Sequence, residues 1–532
     1  MSAEWGRLDR LVDLAGTIAG SWGARGRSST SVGQERAILR LFGVHGLDGR
    51  GRPLAGEVVE RYVGRDASRL AGGVALPFAM ALLEYDLSPM QLAFDVASGA
   101  VDLALEAELL REPDRRAVAE AEARRLASVA VDRIDANRTA RRELVGMLGE
   151  APRPWLGTTL VEPAIDRAVT EAVGRVGEGL DLLRVEVPVG RELATRLTDA
   201  GMELPDWPTY ESPFSSAADR TEEDEIAPTG SQRGLADLRA ELDETAAGRR
   251  RYVAIGTAGP ALAAPEQAVV AAFERIDVIE ADPMAEIVAG SVDPDRALAD
   301  HSFAHRLLKR AGSTLVIGAG PLVVAPDLAS GLPSDTGTRA GRAFALQLVA
   351  ASLARQDGLP AEQIVIGGLP AWLTDEPRPA ARAAAEVALR AELFEGHALS
   401  FEEPVTTPDR AALWPFVLAS VLPGGLRAAF VIRRPGVGPM RETVHVGRAA
   451  VTVAGELAGA FGRRTLEGPA LEHARAVVAA ATETLERLGE VGWRSVLGDA
   501  LVRGERLRLG SDAVVERAES FDPLAPALEP VV

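Results

Sequence analysis

Residues 249–283 read RRRYVAIGTAGPALAAPEQAVVAAFERIDVIEADP, and this stretch decides the fold. Residues 252–256 form a short apolar run, and residues 276–279 form a second one. Between them, residues 265–273 have a helical pattern with proline in the first turn, where a missing N–H costs nothing. A strand, a helix and a strand within about 30 residues make a βαβ unit. Such units require a parallel sheet that is covered by helices.

The same alternation of strand and helix begins at Trp155 and continues to Arg433. The predicted strands are 155–160, 182–189, 252–256, 276–279, 314–317, 364–366, 398–401 and 428–432. The predicted helices between them are 164–177, 232–248, 265–274, 295–311, 338–356, 376–395 and 408–422. Eight strands alternating with helices predict a (β/α)8 TIM barrel, and the span is close to the roughly 250 residues typical of that fold. An open doubly wound α/β sheet is the alternative.

Helical patterns flank the predicted barrel on both sides. Residues 1–150 are predicted to be a helical N-terminal region, 151–435 the barrel, and 436–532 a helical C-terminal region with a Pro-rich tail. The N-terminal block has no alternating strand pattern. Within the barrel, residues 198–231 contain an acidic run and several prolines, which predicts a flexible insertion. Whether this insertion is a lid or a disordered segment is left open.

The composition excludes several classes of function. The 532-residue chain has a net charge of −19, which repels a polyanion, so no nucleic-acid partner is expected. The chain has no cysteine, which excludes disulfides, Cys-ligated zinc, iron–sulfur clusters and thiol nucleophiles. The N-terminus lacks an uninterrupted apolar core, and the apolar stretch 411–432 is broken by proline and glycine. We therefore expect a cytoplasmic protein without a membrane span.

Common catalytic motifs are absent, and one histidine pair needs interpretation. The only lysine, Lys309, lies in a predicted helix, so there is no P-loop, and no GxSxG motif occurs. His301 and His305 are spaced i, i+4 on that helix and could bind a metal together. The glutamate of a zinc hydrolase is missing, and the helix lies outside the barrel. A structural or surface role is therefore favoured, and no metal site is predicted.

In a TIM barrel, catalytic residues lie at the C-terminal ends of the strands. This rule selects four catalytic candidates, namely Glu280, Asp282, Glu402 and Arg433, and three candidates for cofactor binding, namely Thr158, Arg191 and Thr257. Adjacent residues of a strand face opposite sides, so at most one of two neighbouring carboxylates faces inward. The alternative, which we favour over a catalytic role, is that these charged side chains cap the sheet and pair with arginines in the loops.

Several segments together carry a resemblance to one family. Residues 30–48, TSVGQERAILRLFGVHGLD, look like an N-terminal signature of the form T…ERA..RL.G..G.D. Residues 265–266 and 272–278 match that family's third helix and fourth strand, and residues 358–363 match the segment before its sixth strand. Asn137-Arg138 fits the entry to the barrel. On these segments the chain resembles, over most of its length, the α subunit of lysine 5,6-aminomutase, also called β-lysine 5,6-aminomutase.

The resemblance implies a (β/α)8 barrel with helical additions at both ends. It also implies a smaller partner subunit that binds adenosylcobalamin and supplies the lysine for pyridoxal phosphate (PLP). The implied reaction moves a terminal amino group of a lysine or β-lysine type substrate to the neighbouring carbon through radicals, with PLP carrying the nitrogen. Lys309 lies on an outer helix and no D-x-H-x-x-G sequence occurs, which fits a division of labour in which the partner anchors both cofactors.

The PLP-contacting positions of the family carry other residues in this chain. The family's R-T-T-G-Q-S-like loop after the second strand aligns with VPVGRE at 187–192, where only the glycine is kept. A PLP-contacting serine falls on Pro260, the ring-stacking tyrosine on Ala285, and a substrate-binding acidic residue near Gly320. None of these roles is carried over, and Arg191 is the remaining candidate for the phosphate.

Three hypotheses about function follow. The first is the large barrel subunit of an adenosylcobalamin-dependent, aminomutase-like isomerase. The second is a non-catalytic paralogue of that subunit with a scaffold or regulatory role. The third is a barrel that has been repurposed for another small molecule, using the four catalytic candidates.

Overall fold

In the computed structural model the chain folds around a closed parallel barrel with helices before and after it. The structure describes residues 8–46, 48, 53–64, 66, 68–151, 155–160, 162, 164–186, 232–258, 262–288, 292–318, 336–367, 379–403, 429–433, 448–449, 452, 456, 466–492, 514–518 and 522. The predicted insertion 198–231, Arg191 and the predicted helix 408–422 lie outside these residues.

The N-terminal region is a set of eight described helices and one short strand. The helices are α1 (Leu8–Ser28), α2 (Val32–Leu41), α3 (Leu54–Val63), α4 (Ser68–Gly72), α5 (Ala75–Tyr85), α6 (Pro89–Ser98), α7 (Leu103–Leu109) and α8 (Pro113–Leu148), and the strand is β1 (Ser29–Ser31). Local sequence signals explain several boundaries. Ser31 caps α2, and Ser88 and Gln91 form a capping box at the start of α6.

The barrel prediction is confirmed. The strands are β2 (Trp155–Leu160), β3 (Leu182–Glu186), β4 (Ala254–Ala258), β5 (Val278–Glu280), β6 (Thr314–Ile317), β7 (Ile364–Ile366), β8 (Ala398–Glu403) and β9 (Ala429–Arg433). Each strand pairs in parallel with the next, and β9 pairs with β2, which closes the barrel. The described helices around it are α9 (Ile165–Gly177), α10 (Gln232–Arg249), α11 (Ala264–Phe273), α12 (Pro283–Val288), α13 (Pro294–Ala311), α14 (Thr336–Gln356) and α15 (Pro379–Leu393).

The segments that carry the family resemblance connect the N-terminal helices to the barrel. Glu35 is buried and accepts hydrogen bonds from the Thr30 hydroxyl at 2.6 Å and from the Val74 backbone N–H at 2.7 Å. Burial raises the pKa of this carboxyl. Arg40 forms a buried ion pair with Glu266 at 2.9 Å, which joins α2 to α11. These residues therefore have structural roles.

The helix α8 is attached to the barrel by polar contacts with the ends of other elements. The Asn137 side chain donates to the carbonyl oxygens of Ala272 and Phe273 at 3.1 and 2.7 Å. Arg141 donates to the carbonyl oxygen of Ile276 at 2.9 Å. Carbonyls at the end of a helix lack partners within the helix, so these side chains satisfy groups that would otherwise need water.

A short two-stranded ribbon departs from the sequence prediction. The N-terminal block has no alternating strand pattern in its sequence, but β1 pairs antiparallel with β10 (Val514–Glu516). Arg517 then donates to the side-chain oxygen of Gln34 at 3.0 Å. No local pattern marks this strand, because three residues are too few to show a two-residue period and their partner lies far away in sequence.

The C-terminal helix α16 (Gly468–Val491) packs against α14 and α1. Gly341 makes the close approach of α14 and α16 possible. A Cβ atom at this position would lie 2.6 Å from the carbonyl oxygen of Val477 and 2.5 Å from the Cβ of Ala480. Within the part of the chain that the structure describes, no helix is long and apolar enough to cross a bilayer.

We expect Gly341→Ala to lower the free energy of unfolding by about 1–3 kcal/mol, because the added methyl group overpacks a helix crossing against backbone. The matched control is Gly174→Ala in α9, where no atom lies within 4 Å of the new methyl group. This second change should raise the free energy of unfolding by roughly 0.5–1 kcal/mol, since alanine favours a helix over glycine. Denaturant titration of both variants measures whether each change lowers or raises the free energy of unfolding. Equal effects of the two changes would contradict the packing role of Gly341.

Candidate functional site

The base of the barrel interior is closed by an apolar layer. Its members come from β2 to β8 and pack together as one cluster: Trp155, Leu182, Ala254, Val278, Val316, Val365 and Ala398. Each of these side chains is at most 9% exposed. Because side chains alternate along a strand, the next interior position on each strand is two residues further toward the C-terminal end. These next positions form the floor of the barrel mouth.

The composition of that next layer differs sharply from the apolar layer below it. On β3, β5 and β8 it contains Arg184, Glu280 and Ser400, and we call these three residues the polar layer. Two residues beyond Ala254, the corresponding position of β4 is Gly256, which carries no side chain. Arg184 is therefore in register with a residue that has no side chain, whereas Glu280 is in register with Ala258 of β4 and Val316 of β6.

Arg184 is the centre of the polar layer. Its Nε donates to the Thr159 hydroxyl oxygen at 3.0 Å, and its Nη1 donates to Glu280 Oε1 at 2.7 Å. The side chains of Arg184 and Glu280 are 4% and 11% exposed, and Thr159 is fully buried. A buried guanidinium with a charge-assisted hydrogen bond to a carboxylate is held in one geometry. The described part of the barrel interior therefore holds a positive group and a negative group side by side.

The strand β4 lies between the strands that carry this ion pair. Arg184 is in register with Gly256, and Glu280 is in register with Ala258. The inward positions of β4 are thus occupied by Ala254, Gly256 and Ala258. Because these residues are small, the long arginine side chain reaches across β4 to the carboxylate two strands away. The ion pair depends on this small-residue pattern as much as on its two charged members.

Ser400 adds a hydroxyl group with an unusual environment. It is fully buried, and it shares a face of β8 with Ala398 of the apolar layer. Among the described residues, no donor or acceptor lies within hydrogen-bonding distance of its Oγ atom. A buried hydroxyl without a partner costs about 1–3 kcal/mol, so such a group is uncommon in a finished interior.

The catalytic candidates predicted from the sequence occupy different environments. Glu280 lies in the polar layer, as described above. Asp282 caps α12: its Oδ1 accepts from the backbone N–H of Met284 at 2.8 Å, and its Oδ2 accepts from that of Gly318 at 2.9 Å. Burial raises the pKa of Asp282 despite these hydrogen bonds. Its carboxylate joins the C-terminal ends of β5 and β6, which is a structural contact.

The other candidates are distributed around the same end of the barrel. The Thr257 hydroxyl oxygen lies 3.1 Å from the Gln267 side-chain nitrogen, which donates to it from α11 outside the barrel. Thr158 is buried on the face of β2 opposite to Thr159. The backbone of Glu402 is in register with Ile432, and that of Arg433 with Thr158 and Glu403. The predicted roles of these residues stay predictions.

Sequence reasoning missed Arg184 and Ser400. Both lie inside predicted strands. The rule for TIM barrels selects only residues at the C-terminal ends of the strands, so it does not select these two. One signal was available for Arg184, because a charged residue two positions after Leu182 in an otherwise apolar run has to face the same side as that leucine. No comparable signal distinguishes Ser400, since serine is tolerated at many strand positions.

The histidine pair is buried, and each member has its own carboxylate. His301 Nε2 lies 3.0 Å from Glu286 Oε1, and His305 Nδ1 lies 2.8 Å from Asp357 Oδ2. Burial lowers the pKa of His305, and the effect of Asp357 does not reverse this. For His301, burial is again the largest single effect and lowers the pKa, but Glu286, Asp282 and Asp300 together outweigh it, so the pKa is raised. Within the described residues, no group of three or more His, Asp or Glu side chains is positioned to hold a metal ion.

The described residues do not fit PLP as a cofactor that this chain anchors by itself. Lys309 is in the last turn of α13, and its Nζ lies near Gly358, in the turn that precedes β7. Both elements reach the N-terminal end of the strands, opposite the barrel mouth. The Arg184 guanidinium already faces a carboxylate, which disfavours a phosphate beside it. The buried histidines His301, His305 and His473 contact carboxylates on helices outside the barrel interior.

A closed (β/α)8 barrel with a polar interior layer and helical additions defines the class of protein. The sequence model described as the D-lysine 5,6-aminomutase TIM-barrel domain of the alpha subunit matches residues 2–406. The chain belongs to this family.

Two relatives are named lysine 5,6-aminomutase alpha subunit. The protein from Fusobacterium nucleatum is 25% identical over 368 residues, which cover 69% of this chain and 64% of that protein. The protein from Acetoanaerobium sticklandii is 25% identical over 339 residues, which cover 64% of this chain and 59% of that protein. The matched part of the chain thus spans less than two thirds of the length of either relative.

Solved structures give a weaker similarity. The dihydropteroate synthase of Burkholderia cenocepacia is 17% identical with a TM-score of 0.33, covering 57% of this chain and 94% of that one. The DHPS of Yersinia pestis is 13% identical with the same TM-score and the same coverage. A similarity of this size supports no conclusion about function.

Proposed function

We propose that this chain is the large barrel subunit of an adenosylcobalamin-dependent, PLP-linked aminomutase that acts on a lysine or β-lysine type substrate. The observation that carries the proposal is the family match over residues 2–406 of a chain with a closed barrel. The polar layer supports it, because it offers opposite charges in a buried interior at the end of the barrel where catalysis takes place in this fold.

In this proposal both cofactors are anchored by a smaller partner subunit. A covalent PLP linkage needs a lysine, and the only lysine of this chain lies at the opposite end of the barrel from the mouth. This chain would then hold the amino-acid substrate and shield it from water. It would do so with the barrel wall and the polar layer. Excluding water is important for any radical reaction, because reactive intermediates are lost to side reactions in an open site.

The experiment that tests the proposed function is affinity purification of the tagged full chain from its native host, followed by mass spectrometry of the proteins bound to it. Recovery of a smaller subunit with a D-x-H-x-x-G sequence and a PLP-binding lysine supports an aminomutase complex. Incubation of that complex with lysine or β-lysine should then give the product in which the terminal amino group has moved. Recovery of a second large subunit with intact PLP contacts would instead indicate a regulatory paralogue, and recovery of the chain alone would refute the proposal.

A further inference from the structure

We propose that Arg184 and Glu280 bind the zwitterionic end of an amino acid, with its carboxylate on Arg184 and its α-ammonium on Glu280. This inference deepens the proposed function and rests on it for the choice of an amino acid as the ligand. In the structure the two side chains contact each other at 2.7 Å within the barrel. Ligand binding would exchange this direct contact for two contacts with the ligand.

The first support is charge balance. An α-amino acid carries one negative and one positive group on the same carbon, and the ion pair carries the complementary groups. The exchange therefore leaves every buried charge paired, which avoids the large penalty of an isolated buried charge. A phosphate or a simple carboxylate would face Glu280 without compensation, and a diamine would face Arg184. The pair thus discriminates in favour of a zwitterion.

The second support is the cost of the pair itself. Buried ion pairs contribute little net stability, because desolvation of both charges offsets their attraction, and apolar residues of similar volume serve as well or better. The pair also lies directly above an apolar layer that already closes the barrel. A charged pair at this level is thus explained more easily by recognition of a ligand than by stability.

The third support comes from the remainder of the polar layer. Ser400 Oγ is buried and has no partner among the described residues, although its strand position faces the same interior. A ligand with hydrogen-bonding groups in that interior would provide the missing partner. Gly256, the register partner of Arg184 on β4, contributes no side chain to this interior. An independent polar atom therefore points to a polar occupant of the barrel.

The test is calorimetric titration of the full chain, and of the complex recovered with it, using three matched probes. Lysine carries both groups on its α-carbon, 6-aminohexanoate lacks the α-ammonium, and 1,5-diaminopentane lacks the carboxylate. Each missing group removes a charge-assisted hydrogen bond and leaves a protein charge without its partner, so each truncated probe should bind at least about tenfold more weakly than lysine. Equal affinity for the three probes, or no binding of lysine to either preparation, would overturn the proposal.

Variants locate the binding to these residues. In Arg184→Met with Glu280→Leu, both charges are replaced together, so neither member of the pair is left facing an uncharged one, and lysine binding should be lost. The matched control is Arg40→Met with Glu266→Leu, which removes a buried ion pair of similar length outside the barrel interior and should leave lysine affinity unchanged. Circular dichroism and thermal unfolding confirm that both variants fold. Unchanged lysine affinity in the first variant would overturn the proposal.

Two single variants assign the two ends of the ligand. Glu280→Gln should weaken the binding of lysine and strengthen that of 6-aminohexanoate, because the variant removes the carboxylate that 6-aminohexanoate leaves without a partner. Ser400→Ala should weaken lysine binding by a few-fold. The outcomes are independent of the proposed function: a chain that binds lysine through this pair but has no cobalamin-binding partner would refute the aminomutase and retain the site. A complete complex in which the double variant binds lysine as well as the wild type does would refute the proposed binding site and leave the aminomutase proposal intact.

Discussion

Replacement of Asp277 by asparagine is expected to lower the free energy of unfolding by about 3–5 kcal/mol, because it removes one partner of a buried ionic network. Asp277 directly precedes β5 at the base of the barrel, and it is 7% exposed. Its carboxylate lies 3.0 Å from Arg141 Nε and 3.4 Å from Arg239 Nη1. It also accepts hydrogen bonds from the Tyr252 hydroxyl at 2.8 Å and from the Ile255 backbone N–H at 2.9 Å.

These contacts join four parts of the chain. Arg141 belongs to α8, Arg239 to α10, Ile255 to β4, and Asp277 itself leads into β5. Burial, followed by the nearby Asp277 carboxylate, raises the pKa of Tyr252, so the phenol stays protonated and donates. Asparagine has the same shape but no charge, and its amide has a single acceptor oxygen. The partly buried Arg141 would then lose this counter-charge, whereas the buried Arg239 would keep Asp243 at 2.7 Å.

Denaturant unfolding of Asp277→Asn at pH 7 measures this cost. The control is Asp135→Asn, which weakens an ion pair with Arg310 in which the aspartate side chain is 44% exposed. Exposed pairs contribute about 0–1 kcal/mol, so the control should unfold close to the wild type. If both variants lose the same small amount, the network at the base of the barrel does not stabilise the fold in the way that its geometry indicates.

Much of the barrel is readable from the sequence because its strands are short apolar runs between long helical patterns. The predicted bounds of the strands at 155–160, 314–317 and 364–366 agree with the structure. At Tyr252 and Ile276 the predicted strands begin two residues early. Tyr252 does belong to the interior cluster, and Ile276 is fully buried, so the hydrophobic pattern alone cannot mark the first hydrogen-bonded residue.

The candidate site was less predictable for a physical reason. Its central contact joins Arg184 to Glu280, which are separated by nearly a hundred residues in sequence and by one strand in space. Only the register of three strands brings them together, and no local pattern contains that register. The rule that selects strand ends finds Glu280 but also finds Asp282, whose carboxylate caps a helix. Sequence position thus selects residues at the correct end of the barrel, but it does not distinguish a residue that faces the interior, such as Glu280, from one with a structural role, such as Asp282.

Replacement of Asp357 by alanine is expected to lower the free energy of unfolding by about 3 kcal/mol, through the loss of charge-assisted hydrogen bonds in a buried site. Asp357 follows α14, and its side chain is 2% exposed. Its carboxylate contacts Arg27 of α1 at 3.0 Å, and Ser302 and His305 of α13 at 3.2 and 2.8 Å. The residue therefore joins three helices that pack on one another outside the barrel.

The pH dependence of this effect has a definite sign. His305 and Asp357 both have a lowered pKa in the folded protein, relative to 6.5 and 3.8. Burial alone would raise the pKa of Asp357, but His305 and Arg27 reverse this effect. A lowered pKa means that the contribution of each group is present above its unfolded value and is lost as the pH falls through its folded value. Between pH 7 and pH 5, the wild type should therefore lose stability through His305, while Asp357 stays ionised.

Removal of Asp357 also removes the group that opposes the effect of burial on His305. The pKa of His305 should then fall further, so the variant should lose more stability than the wild type on going from pH 7 to pH 5. Denaturant unfolding at both pH values measures the difference in free energy of unfolding between the wild type and the variant, which should be larger at pH 5 than at pH 7. The control is Asp295→Ala, which breaks an exposed ion pair with Arg25 between α1 and α13 and should change stability by less than about 1 kcal/mol at both pH values. If the difference in free energy of unfolding between the two proteins is smaller at pH 5 than at pH 7, then His305 is charged in the folded protein, and Asp357 contacts an imidazolium and not a neutral ring.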